Sequence, residues 1–136
     1  MEIPEALDFV RRHHHAVLAT TRADGTPQMS PVAAAVDEAG RVVVSSRETA
    51  VKTRNLRRDR RAFLCVFTDR FFGSWVQVNG SADVLSLPDA MEPLVEYYRS
   101  VAGEHPDWDE YRAAMRAEQR VLLRITPTYA GPTVSG

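Results

Sequence analysis

The ten residues from Lys52 to Arg61, KTRNLRRDRR, hold six cations and one anion. At helical spacing Arg54, Arg57, Arg58 and Arg61 share one face, and Lys52, Asn55 and Leu56 share an adjacent one. Like charges at this spacing repel, so a helix gains no stability of its own from the arrangement. A bound polyanion relieves the repulsion through charge-assisted hydrogen bonds, most effectively beside a helix N-terminus. A solvated face, or a set of intersubunit salt bridges, is the competing reading of the same residues. Nucleic acid fits poorly, because no aromatic residues are interleaved and the whole chain carries 17 cations against 18 anions.

Other chemistries find less support. His13, His14 and His15 are consecutive at a helix end and point in three directions, with no cysteine or carboxylate pair at ligand spacing, so no metal site is expected. Cys65, the only cysteine, lies in the apolar run Ala62 to Phe67, where a thiol is expected to be inert packing. Ser30, Ser45 and Ser74 have no GxSxG context. The carboxylate pairs Glu104/Asp107 and Asp107/Asp109 are explained by helix capping and solvation. No catalytic side chain is expected.

The elements that must position the basic block follow from periodicity. Ile3, Ala6, Leu7 and Val10 predict an opening amphipathic helix. His15–Arg22 and Gln28–Val36 flank the turn residues Ala23 to Pro27 and read as a hairpin. Arg41–Ser46 is a third strand. Thr49 is expected to cap a helix through about Arg58. Ala62–Phe67 reads as a buried strand, and Val76 to Val84 as a half-exposed one with a bulge at Gly80. Met91, Leu94, Val95 and Tyr98 form a helical stripe after Pro88. Asp107 caps a helix whose inner face is Trp108, Tyr111 and Met115. Val121, Leu123, Ile125 and Tyr129 alternate in a sixth strand. Six strands arranged mostly as hairpins predict an antiparallel sheet or barrel with peripheral helices.

Residues 1–136 are the size of one domain, 44% hydrophobic and 26% charged. The longest apolar run is far short of the roughly 20 residues that span a bilayer, so no membrane partner is expected. Glu2, Glu5 and Asp8 precede any apolar stretch, which argues against a secretory signal. With a single cysteine in addition, a cytoplasmic location is expected.

Three blocks carry a family resemblance: Gly25-Thr-Pro-Gln-Met-Ser-Pro-Val32, Lys52-Thr-Arg-Asn-Leu-Arg-Arg-Asp59 and Ala102-Gly-Glu-His-Pro-Asp-Trp-Asp-Glu-Tyr-Arg112. In order and spacing they resemble the pyridoxamine 5′-phosphate oxidase-like superfamily, and within it the actinobacterial branch that uses the deazaflavin coenzyme F420. The resemblance covers essentially the whole chain. It implies a six-stranded split β-barrel of the FMN-binding type, and a homodimer with two cofactor sites at the subunit interface. Carried over by position, Lys52, Thr53, Arg54 and Asn55 hold the phosphate and acidic tail, and Gln28, Ser30, Pro31 and Val32 line the ring. Trp75 and Gln77 approach from the partner subunit.

The function implied is hydride transfer from reduced F420 to a small unsaturated substrate. The first alternative is an FMN-binding relative of pyridoxamine 5′-phosphate oxidase. FMN ends in a bare phosphate, whereas F420 adds glutamate carboxylates, which the extra Arg57, Arg58, Arg60 and Arg61 favour. The second alternative is a protein that binds a cofactor or other ligand without turnover. Two departures from the family pattern point that way: Ala50, where relatives carry an arginine, and the small residues Ala33 to Ala35, where relatives carry aromatics.

Overall fold

A computed structural model of the chain describes residues 1–133. Helix α1 (Ile3–Arg12) opens the chain, with Pro4 in its first turn, Arg11 and Arg12 in its last, and Ala6, Leu7, Phe9 and Val10 buried. It is followed by β1 (His15–Thr21), β2 (Pro27–Ala33), β3 (Ala35–Val36), β4 (Val42–Arg47), α2 (Val51–Arg58), β5 (Arg61–Phe67), β6 (Trp75–Leu85), α3 (Met91–Ala102), α4 (Trp108–Ala117) and β7 (Arg120–Gly131).

All strand pairs are antiparallel, in the order β2-β1-β5-β6-β7-β4-β3. The two edge strands, β2 and β3, are separated in sequence only by Ala34. A seven-stranded sheet whose two edges are joined by one residue has to roll up. The result is a curled, antiparallel split barrel with peripheral helices, mainly β as expected.

The strand count is seven rather than six, because the expected strand Gln28–Val36 breaks at Ala34. Its first part pairs with β1 and its second with β4, so the chain crosses between the two edges. Two distant side chains hold the crossing. His14 Nδ1 donates to the Ala34 carbonyl at 2.7 Å, and the Tyr97 hydroxyl donates to the Ala33 carbonyl at 2.8 Å. Ala34 and Ala35 are fully buried, so the small residues serve packing at the crossing.

One core fills the barrel, with Leu18, Val44, Leu64, Val66, Leu123 and Ile125 fully buried under α1 and α2. Each such side chain contributes roughly 1.5–3 kcal/mol. A second cluster lies on the other side of β3, β4 and β7, where Val43 and Leu122 meet Leu94 of α3 and Tyr111 of α4. Gly80 sits at a register shift between β6 and β7, as expected; a methyl group there would overlap the Thr126 carbonyl oxygen.

Three local expectations are corrected. The cap of α2 is Ala50, not Thr49, and it offers no side-chain hydrogen bond. Pro88 lies in a turn before α3, which begins at Met91. Strand β5 is buried on one face only: Cys65 is exposed, and Phe63 and Phe67 are half-exposed.

Candidate functional site

Helix α2 is anchored by two of its polar residues. Thr53, fully buried, donates its hydroxyl to the Arg47 carbonyl at 2.7 Å and lies 2.8 Å from Ser46 Oγ. Asn55, only 4% exposed, reaches β1 through a bond from its Nδ2 to Thr20 Oγ1 at 3.0 Å. These contacts fix how the rest of the helix is presented. With alanine at the cap and no acidic residue in the first turn, the amides of Val51, Lys52 and Thr53 have no partner among the described residues. Unpartnered amides and the positive end of a helix dipole favour an anion.

Lys52 stands at this end of the helix and forms no ion pair among the described residues. Burial, and secondarily the nearby Arg120, pushes its ammonium below the ordinary lysine value. Arg54 is exposed and likewise unpaired among the described residues. Arg47 and Arg120 both engage Glu118, at 3.4 Å and 2.8 Å, and hold its carboxyl below the usual range. Arg47 is therefore turned toward Glu118.

A directed chain of hydrogen bonds links α2 to β2. Arg58, which can only donate, bonds Asn55 Oδ1 at 3.1 Å. This places the Asn55 amide nitrogen on Thr20, and the Thr20 hydroxyl then donates to Gln28 Oε1 at 3.1 Å. The order of donors leaves one free end, the Gln28 Nε2 group with its two N–H bonds. Next along the same face of β2, Ser30 Oγ is buried and has no partner among the described residues.

β2 is an edge strand. The bonds Arg22 N–H to Thr26 O and Ala34 N–H to His14 O bracket its ladder with β1 and fix the alternation. Residues 27, 29, 31 and 33 turn their backbone groups away from β1. Two of these are Pro27 and Pro31, which have no N–H to lose. The remaining donors on the open edge are the amides of Met29 and Ala33, and the Ala33 carbonyl is already taken by the Tyr97 hydroxyl.

Of the ten residues expected at the site, the structure joins Gln28 and Asn55 through Thr20 and places Lys52, Thr53, Arg54 and Asn55 on one helix. Val32 points inward beside Ser30. Pro31, Trp75 and Gln77 lie on the opposite, outward face of the sheet. That face also carries Val17, Met29, Phe63, Phe67 and Tyr129, of which Met29 is 63% and Tyr129 50% exposed. Cys65 shares it, with partial desolvation pushing its thiol up from the ordinary value.

The three histidines diverge as expected: His13 packs on Phe9, His14 binds Ala34, and His15 lies 3.1 Å from Asp69. Sequence reasoning missed Thr20. The available signal was a hydroxyl at an inward position of β1, in register with Ala16 and Leu18.

The fold has close counterparts among solved structures. The conserved hypothetical protein Rv2991 from Mycobacterium tuberculosis superposes with a TM-score of 0.75 at 23% identity, covering 100% of this chain and 93% of that one. An F420 reductase superposes with a TM-score of 0.71 at 21% identity, covering 91% and 94%. Both likenesses concern the fold. The sequence model described as pyridoxamine 5′-phosphate oxidase matches residues 3–133. With all but the chain ends inside that match and a split barrel beneath it, this chain belongs to the pyridoxamine 5′-phosphate oxidase family.

Proposed function

We propose that the chain is an oxidoreductase that holds a phosphate-bearing flavin or deazaflavin between the N-terminus of α2 and the open edge of β2. The observation that carries this reading is the uncapped α2 terminus with the unpaired Lys52, held by Thr20 and Asn55 beside the free amide of Gln28. The donor set fits such a group. Lys52, Arg54 and the three free amides supply donors for a phosphate. Gln28 Nε2, Ser30 Oγ and the Met29 backbone offer donors and an acceptor to the polar edge of a planar ring. When bound, the cofactor supplies the two-electron chemistry that no side chain here can perform. The residues bind and orient it, and the partly buried position limits access of water.

Coenzyme F420 is the favoured occupant, and FMN the alternative. The presence of uncompensated arginines beyond the phosphate end favours the cofactor with more negative charge. The substrate is then a small molecule with a polarised C=C or C=N bond. Binding without turnover is not favoured by Ala33 to Ala35, since Ala34 and Ala35 are committed to the core.

We further propose a homodimer through the outward sheet face. An apolar surface built from Val17, Met29, Phe63, Phe67, Trp75 and Tyr129 is larger than isolated exposed side chains require. In the dimer, Trp75 and Gln77 reach the open edge of β2 in the partner.

Fluorescence or calorimetric titration with F420 and with FMN tests the assignment. Lys52→Ala is expected to weaken binding about tenfold or more, as loss of a charge-assisted contact of about 1.5–3 kcal/mol requires. An unchanged dissociation constant would refute the role of Lys52. Failure of both cofactors to bind would refute the cofactor reading.

A further inference from the structure

At the far end of α2 from Lys52, a cleft of about 640 Å³ opens between the β1–β2 turn, the α2–β5 junction and β6. Arg22, Arg58, Arg60 and Arg61 line it, with Asp59 as its one acidic residue. Three of the guanidinium groups are fixed by oxygen atoms on one side. Arg58 Nη2 donates to the Thr21 carbonyl at 2.6 Å, and Arg60 Nε donates to the Ala82 carbonyl at 3.0 Å. Arg61 is paired with Asp59 at 2.7 Å. Arg22 has no side-chain partner among the described residues.

Carbonyl oxygens orient Arg58 and Arg60 without cancelling their charge. Asp59 offsets one charge of the four, and Asp24, in the β1–β2 turn between Ala23 and Gly25, lies near enough to Arg22 to offset part of a second. Each fixed guanidinium keeps N–H groups that are not used: Nη1 and Nη2 of Arg60, and Nε and Nη1 of Arg58. A guanidinium already held in place loses less freedom on binding an anion than a mobile one. The neighbouring Arg57 is different, because Glu48 and Ser86 take its donors outside the cleft.

We propose that this cleft is a second anion site, built for an organic polyanion carrying several carboxylates or a carboxylate–phosphate combination. The volume holds more than a single phosphate, and the charges are spread around its wall. Two sources offer this chemistry: a free small polyanion, or the acidic tail of a cofactor whose phosphate lies at Lys52. The tail source rests on the function proposed above; the cleft does not.

The test is calorimetric titration of the full chain with a tetraglutamate peptide, F420 and FMN, using wild type, Arg22→Glu, Arg60→Ala and Lys52→Ala. Arg22 is exposed and unpaired, so its replacement leaves the fold intact, which thermal melts check. Arg22→Glu and Arg60→Ala are each expected to weaken tetraglutamate tenfold or more, while Lys52→Ala changes it less than twofold. Raising the salt concentration is expected to weaken tetraglutamate binding as well. A tenfold loss of F420 affinity in Arg22→Glu, with FMN unchanged, identifies the cofactor tail as occupant. A loss for tetraglutamate alone identifies a free polyanion. Equal affinity of wild type, Arg22→Glu and Arg60→Ala for all probes overturns the proposal, even where Lys52→Ala confirms the cofactor site. Conversely, a cleft effect without any effect of Lys52→Ala removes the cofactor reading and leaves the cleft standing.

Discussion

Replacing Thr20 by valine removes one hydroxyl and almost no volume, so it isolates the link between α2 and β2. Thr20 is 1% exposed and Asn55 4%, and water reaches neither. Valine leaves the Asn55 Nδ2 group without an acceptor, at a cost of about 1–3 kcal/mol for an unsatisfied buried donor. Gln28 is only half-buried and can turn to solvent, so its loss is limited to about 1 kcal/mol. The added apolar group returns about 0.8 kcal/mol. A net loss of about 2 kcal/mol remains. At about 2.1 cal/mol/K of unfolding entropy per residue, a chain of this length melts roughly 7 °C lower. Urea and thermal unfolding followed by circular dichroism measure both quantities. Thr20→Ser keeps both hydrogen bonds and is the control, expected to lose only about 1 kcal/mol for its buried methyl. If Thr20→Val is as stable as Thr20→Ser, the hydroxyl does not hold Asn55, and the directed chain to Gln28 is refuted with it.

Three other outcomes are expected. Gly80→Ala pushes a methyl group into the Thr126 carbonyl and should destabilise the chain by more than about 2 kcal/mol in the same urea assay. Tyr111, whose hydroxyl donates to the Leu94 carbonyl, has its phenol pushed up to about 12, chiefly by burial. Between the unfolded value near 10 and about 12, the folded chain keeps a proton that the unfolded chain releases. Stability therefore falls as pH rises through that window, and Tyr111→Phe is expected to flatten the fall. Paired Met29→Glu and Trp75→Glu substitutions on the outward face should yield monomers in analytical ultracentrifugation, with cofactor affinity lost alongside dimerisation.

Much of the fold was legible because alternation and helical spacing are local. The opening helix, the β1–β2 hairpin, the bulge at Gly80 and the Asp107 cap all lie where their residues dictate, with Asp107 accepting from the Glu110 amide at 3.1 Å. The break at Ala34 was not legible. Val32 to Val36 is uniformly small and apolar, and what bends it comes from His14 and Tyr97, the latter 64 residues from Ala33. β5 misled for another reason. An apolar run looks the same whether both faces are covered or one is left open, as it is here at Phe63, Cys65 and Phe67. The basic block was legible as charge, but not which charges stay free. Arg57 is spent on Glu48 and Arg61 on Asp59, and neither pairing follows from helical spacing alone.

The two faces of the sheet divide the proposed site between two kinds of residue. Thr53, Asn55 and Thr20 lie inside, each hydrogen-bonded to a neighbouring element, and act by holding α2 and Gln28 at a fixed distance. Lys52, the first-turn amides and the Gln28 amide are the groups they leave free. On the outward face Trp75 pairs with Phe67 across β5, so the barrel wall separates it from Gln28 of the same chain. The open edge of β2 borders both faces, so a neighbouring copy can add a side chain there without displacing the core. In the homodimer proposed above, a cofactor seated there would contact both protomers and tie its own affinity to dimerisation. By mass action it must then stabilise the dimer in proportion to its concentration over its dissociation constant, so dilution should release the two together.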